Sequence, residues 1–190
     1  TAPNGARFRR LGGILPELLD RLFPEREKAL AEGDLLEATA IKILMNSFYG
    51  VLATPRCRLY SPETANAITG FGQQTLHWTK DAIEARGLRV LYGDTDSIFV
   101  ELRTEAAAAE EEGRRLAAEI TSELAARLLD TYGVESRLEL RCERVFRRLL
   151  LPALRGSTEG SKKRYAGLVR EGAEERVIYV GLESVRRDWT

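Results

Sequence analysis

Residues Leu88–Leu102, LRVLYGDTDSIFVEL, read as two short apolar strands folded about Gly93-Asp94-Thr95-Asp96-Ser97. Glycine, aspartate and serine are turn formers, so the two runs predict a hairpin with both carboxylates at its tip. Residues two apart on a regular strand share a face, while a tight turn splays them. In either case two acidic groups sit where a hard divalent cation would find oxygen ligands, which points toward phosphoryl transfer. A lone Asp-x-Asp is also an ordinary solvated turn, so the rest of the chain must decide between the two readings.

Working outward, Glu63 to Arg86 reads as a helix closed by Gly87, and Glu105 to Leu129 as another that ends before Tyr132-Gly133. Nearer the N-terminus, Leu15, Leu19, Leu22 and Arg26 recur at helical spacing behind Pro16, and Pro24 is expected to kink or interrupt that helix. Asp34 is the expected N-cap of a second helix running to about Tyr49, and the short break Glu32-Gly33-Asp34 predicts an antiparallel helical hairpin. Beyond the long helices, Arg137 to Phe146, Arg147 to Leu151, Lys163 to Val169 and Arg176 to Gly181 read as strands, with loops at Arg155 to Ser161 and Glu171 to Glu175. The predicted class is α+β: an antiparallel sheet with helices packed on one face, plus an N-terminal helical hairpin, divided as residues 1–50 and 51–190.

An apolar fraction of 44% in 190 residues supports an ordinary core. No uncharged apolar run approaches the ~20 residues of a bilayer span, and TAPNGARFRR lacks the apolar stretch of a signal peptide, so no membrane partner and a cytoplasmic location are the expectations. Cys57 and Cys142 lack metal-site or disulfide-framework spacing, and His77 and Trp78 are assigned to packing. The chain lacks an initiator Met and stops after Trp189-Thr190, which reads as a piece of something longer. Net charge is zero, 29 basic against 29 acidic, which argues against a nucleic-acid-coating protein. The distribution is uneven, however: residues 141–170 hold nine Arg and Lys against Glu143 and Glu159. Such a local excess suits a polyanion groove and equally suits a solvated strand face.

On the second helix Lys42, Asn46 and Tyr49 fall at i, i+4 and i+7 and share one side, offering a cation, an amide and a phenol. They belong to a longer string. Lys42-Ile43-Leu44-Met45-Asn46-Ser47-Phe48-Tyr49-Gly50 resembles the K-x-x-x-N-S-x-Y-G motif of family B DNA polymerases, and Tyr92-Gly93-Asp94-Thr95-Asp96-Ser97 the YGDTDS motif. Lys162-Lys163-Arg164-Tyr165 resembles that family's KKRY element. The stretches Leu151 to Gly156 and Gly181 to Thr190 look most like the bacterial polymerase II branch. The resemblance runs over nearly the whole chain, in the family's order and spacing.

The resemblance implies fingers and palm portions of a DNA-directed DNA polymerase acting on primer-template DNA and dNTP with two magnesium ions ~3.5 to 4 Å apart. By the family pattern Asp96 is the direct ligand and Asp94 joins or tunes the site. Lys42 and Asn46 match triphosphate contacts on the fingers, Tyr49 presents a flat edge to the nascent base pair, and Arg26 matches a further triphosphate contact. Leu30 stands where the family carries a lysine four residues after that arginine, with Lys28 nearby. Lys162, Lys163, Arg164 and Tyr165 match the element that lies against the primer end, and Glu143 aligns with an acidic position near the palm site.

The family also needs an upstream strand bearing another metal-binding aspartate, and Thr1 to Arg10 has none. The missing strand, the exonuclease and the thumb are therefore expected in the same gene product or in a partner subunit, and the 190-residue chain alone is expected to be inactive. A non-catalytic DNA-binding or scaffolding module that keeps the fold is the alternative.

Overall fold

The turn between the first two helices shows how closely local chemistry specifies the chain path. In the computed structural model, which describes residues 1–10, 12–105, 108–153, 163–172 and 174–182, α1 spans Ile14–Ala31 and α2 spans Leu35–Ala53. Gly33 adopts φ 77 and donates to the Leu30 carbonyl (3.2 Å), while the Asp34 N–H reaches back to Ala29 (2.9 Å). This is the paired closure of a Schellman end, and it requires the positive φ that glycine tolerates. Asp34 at once caps the next helix, its Oδ1 accepting from the Glu37 N–H at 2.9 Å.

The expected kink at Pro24 is not realised as a break: α1 runs through it. Proline removes one N–H bond and crowds the carbonyl four residues earlier, yet burial of the α1 face against α2 outweighs that local cost. On α2 the side facing inward is Ala38, Ile41, Met45, Phe48 and Leu52, buried or half-buried at three- and four-residue steps. At 19 residues α2 is also long and apolar enough, by length and composition alone, to cross a bilayer, which corrects the expectation that no segment approaches that length. Its packing against α1 and its polar side carrying Lys42 and Asn46 are those of a helix in a helical hairpin.

The chain forms two compact units, Thr1–Gln74 and Thr75–Thr190, and α3 (Pro62–Ala85) passes through both. In the first, Ala67 and Phe71 of α3 pack on Ala2 and Ala6. In the second, Trp78, Ala82 and Ile83 of α3 meet Leu116, Ile120 and Leu124 of α4 (Ala109–Tyr132), residues spaced four apart on one helical face. Trp78 is buried there as expected, with the Arg127 guanidinium carbon 4.2 Å from its ring centroid. His77, by contrast, is exposed, because one step along a helix turns a side chain by about 100° away from the Trp78 side. Gly133 (φ 61) ends α4, and Gly87 (φ 75) follows α3, as their positions predict.

Strands β1 (Arg89–Asp94) and β2 (Ser97–Glu101) form an antiparallel pair, while β3 (Arg148–Leu150), β4 (Tyr165–Glu171) and β5 (Glu174–Val180) form a second, three-stranded antiparallel sheet in the order β3-β4-β5. The α+β class therefore holds, with the strands of the described residues divided between two small sheets. Residues 137–146 are not a strand. Their alternation of Arg137, Glu139 and Arg141 with Leu138, Leu140 and Cys142 has a strand's period, but the segment finds its partners on α4. The Leu140 N–H donates to Thr121 Oγ1 (3.0 Å), Leu140 joins the core, and Cys142 Sγ occupies the space beside Gly113. Lys162, the loop from Arg155 to Ser161 and the motif residues 183–190 lie outside the described residues.

Candidate functional site

The hairpin tip is built by an irregularity in its ladder. Val90 pairs with Val100, but Tyr92 pairs with Phe99, so Leu91 is one residue in excess on β1. Val90, Ile98, Val100 and Leu102 pack on the α3–α4 core. A regular strand would send Tyr92 and Asp94 to that same face, since residues two apart share a side. The bulge reverses the alternation and turns Tyr92 toward Phe99 on the opposite face, with Asp94 following it.

At the tip Asp94 pairs with Ser97, leaving Thr95 and Asp96 as the connection. The Asp96 N–H donates to the Asp94 carbonyl at 2.7 Å across Thr95, which sits at φ 54. A γ-type turn centred on a β-branched residue at positive φ is uncommon, and such strain costs about 1–3 kcal/mol. The turn holds the carboxylates on successive alternate residues of a very short arc. Thr95 Oγ1 donates to Asp94 Oδ1 (3.2 Å) and Ser97 Oγ to Asp96 Oδ1 (3.2 Å). Asp96 is exposed, and the Asp94 side chain keeps 29% of its surface accessible.

Lys163, about seventy positions later in the chain, meets this turn: its Nζ is 3.6 Å from Asp94 Oδ2, and its backbone N–H donates to the Tyr92 hydroxyl at 2.7 Å. With the lysine side chain 71% exposed, the ion pair contributes at most about 1 kcal/mol, so its significance is positional. Tyr165, two residues on, fastens β4 to the hairpin. Its ring stands edge-on to Phe99 (5.1 Å) and Phe146 (5.9 Å), which in turn stack at 6.0 Å, and Tyr92 completes the group at 5.7 Å from Phe99. Phe146 lies over Gly167, where any Cβ would run into its ring. The motif pieces Asp94, Asp96, Lys163, Arg164 and Tyr165 are thus gathered at one place, while Phe99 and Phe146 are contributors that the sequence did not single out. Their signal was present, since Phe99 alternates with Ile98 and Val100 within the hairpin.

Not all of the basic excess of residues 141–170 is available to a polyanion. Arg141 is paired with Glu139 (2.6 Å), Arg147 with Glu175, and Arg170 donates to the Gly172 carbonyl (2.9 Å). The Arg141 guanidinium holds the Glu139 carboxyl below its usual range, chiefly through their hydrogen bond. Glu143 lines a polar hollow with Glu110, Arg114, Cys142, Arg144 and Val145 beside the start of α4. Burial, reinforced by Glu110, pushes the Cys142 thiol up.

In the first unit Lys42, Asn46 and Tyr49 share the exposed side of α2, as their spacing predicts. Leu35, Leu36, Ile43 and Leu44 are exposed on the same helix, Leu36 at 83%. Arg26 is half-buried on α1, its Nε buried without a hydrogen-bond partner among the described residues.

Among the described residues no group of three or more His, Cys, Asp and Glu could hold a metal ion. The donor set at the turn nonetheless fits magnesium, which takes one or two carboxylates and completes an octahedral shell with water and substrate phosphate oxygens. Asp94 and Asp96 offer two such carboxylates, accessible and on one turn.

A family model described as DNA polymerase family B matches residues 3–190. DNA polymerase II of Escherichia coli (strain K12) is 43% identical over 188 residues, covering 97% of this chain and 24% of that protein. DNA polymerase 1 of Pyrococcus abyssi (strain GE5 / Orsay) is 32% identical over 198 residues, covering 98% and 23%. The solved family B DNA polymerase from the hyperthermophilic archaeon Pyrobaculum calidifontis has a TM-score of 0.60 at 28% identity, over 95% of this chain and 22% of that one. The chain therefore spans about a quarter of the length of these relatives. With its motifs in order and its fold matched over nearly all its length, the chain belongs to DNA polymerase family B.

Proposed function

We propose that this chain is the fingers-palm portion of a DNA-directed DNA polymerase, with residues 1–50 contributing to the fingers and 51–190 to the palm, working in the cytoplasm on primer-template DNA and dNTP. The observation that supports this reading most is the meeting of Lys163 with the Asp94–Asp96 turn. Two motifs far apart in sequence converge on one accessible acidic point, which a solvated turn has no physical need to do.

In this reading Asp96, with Asp94 tuning or joining the site, would contribute to the seat of two magnesium ions, which would supply activation of the primer 3′-hydroxyl and neutralisation of the leaving pyrophosphate. Lys42 neutralises triphosphate oxygens as a point charge, and Asn46 adds an amide donor one helical turn on. Arg26 is the second cation for the triphosphate; its orphaned Nε is a donor that an arriving phosphate oxygen would satisfy. Tyr49 offers a flat edge to the nascent base pair. Lys163, with Lys162 and Arg164, holds the primer end, reading acceptors common to all base pairs in the minor groove, so binding is sequence-tolerant and weakened by salt. Tyr165 contributes through the aromatic stack that fastens the lysine-bearing segment to the hairpin.

The 190-residue chain by itself is expected to show no measurable primer extension, because the family's upstream metal-binding aspartate is not among its residues. A gel-based extension assay on the purified chain, beside a longer chain carrying the upstream palm strand, is the test; extension by the shorter chain would overturn the proposal that this aspartate is required. Leu30, 44% exposed one turn after Arg26, marks a triphosphate contact the family makes and this chain lacks. Leu30→Lys in the longer chain is expected to lower the KM for dNTP about two- to tenfold with little change in kcat, the gain of one charge-assisted contact. An unaltered KM would remove that role from position 30.

A further inference from the structure

We infer that Tyr92 is a positioning residue: its hydroxyl and the side-chain-free Gly181 clamp the Lys163 backbone in the conformation that sets the lysine ammonium beside Asp94. The inference rests on the polymerase reading of this site and adds to it the device that aims its lysine.

Lys163 stands at φ 58, in the left-handed region that non-glycine residues avoid. It lies two residues before β4, outside the paired ladder, so its N–H has no strand partner to fix it. The Tyr92 hydroxyl takes that role at 2.7 Å. The phenol is itself held from below by Phe99, and it points to this side of the hairpin because of the extra residue at Leu91. On the other flank Gly181, at φ 60 just after β5, leaves room for the Lys163 carbonyl, whose oxygen would overlap any Cβ built there. The hydrogen bond thus fixes the amide of this residue, and the absent side chain keeps open the space its carbonyl occupies. Freed of them, Lys163 would relax to the extended form that continues β4, and its side chain would swing to the other side, away from Asp94.

The test uses a full-length polymerase that carries this segment, with Tyr92→Phe, Lys163→Ala, the double variant and Gly181→Ala, and Asp96→Asn as reference. Phenylalanine keeps the ring stack and removes only the hydroxyl, so the melting midpoint of Tyr92→Phe should match the parent. Its Kd for primer-template, from fluorescence anisotropy, should rise about three- to tenfold, the worth of one hydrogen bond, with the KM for dNTP unchanged. Gly181→Ala should weaken primer binding by at least as much. Added to Lys163→Ala, the tyrosine change should cost nothing more, since both act through the same ammonium. Losses that simply add would overturn the clamp, as would primer affinity unaltered in Tyr92→Phe. Full turnover in Asp96→Asn would overturn the polymerase reading itself, whereas an inactive Asp96→Asn with additive Tyr92 and Lys163 effects would overturn the clamp alone.

Discussion

Asp96→Asn in a polymerase carrying this segment is expected to lower kcat for primer extension by about 10³-fold or more. The side chain is exposed at the hairpin tip and has one described partner, Ser97 Oγ, which donates to Oδ1 and can donate equally to an amide oxygen. Asparagine therefore preserves shape and that hydrogen bond, and the melting midpoint should not move. What disappears is a negative charge and a hard oxygen ligand. Metal catalysis of a displacement at phosphorus is worth several kcal/mol of charge stabilisation, and about 4 kcal/mol corresponds to the stated factor. Single-turnover extension at saturating dNTP measures it. A loss below about tenfold, with fold and primer binding intact, would remove Asp96 from the metal seat.

Ile120→Ala should produce the largest loss of stability of any single truncation in the second unit. Ile120 is 1% exposed on the inner face of α4, amid Trp78, Ile83, Leu116 and Leu124 and under the hairpin's Val90, Ile98 and Val100. Cutting a buried isoleucine to alanine costs about 2–5 kcal/mol, the upper part arising where the surroundings cannot collapse. Two helices and a hairpin converge on this point, so collapse is restricted. For a chain of this size about 3 kcal/mol corresponds to a fall of about 6–12 °C in Tm. Calorimetry of Ile120→Ala beside Ile43→Ala, an exposed isoleucine on α2, separates burial from chemistry: the second should shift Tm by no more than about 2 °C. Equal shifts would show that α4 does not carry the core.

Much of this architecture was legible because its signals are local. Asp34 as N-cap, Gly33 and Gly87 as helix ends, and the Asp94–Ser97 tip each follow from one residue's conformational or hydrogen-bonding preference. The site was legible for a different reason: its polar residues are strung at spacings that a family resemblance makes specific. Properties set by distant partners could not be read this way. Residues 137–146 alternate like a strand, and only the presence of Thr121 and Gly113 on α4 decides that they lie along a helix instead. Pro24 has a local cost that a neighbouring helix overrides. Neither the left-handed Lys163 nor the strained Thr95 announces itself in residue type, since both conformations are imposed by contacts across the chain.

The surplus residue at Leu91 has a consequence for how the acidic point is kept. If β1 paired without interruption, Leu91 would stand opposite Phe99 and the Asp94 carboxylate would be delivered to the hydrocarbon face of the hairpin, the one that packs on α3 and α4, with every amino acid unchanged. The address of the charge is therefore stored in parity, one miscount along a ladder, and not in the identity of the aspartate. Anything that straightens this strand would silence the centre from a distance, without ever touching a ligand.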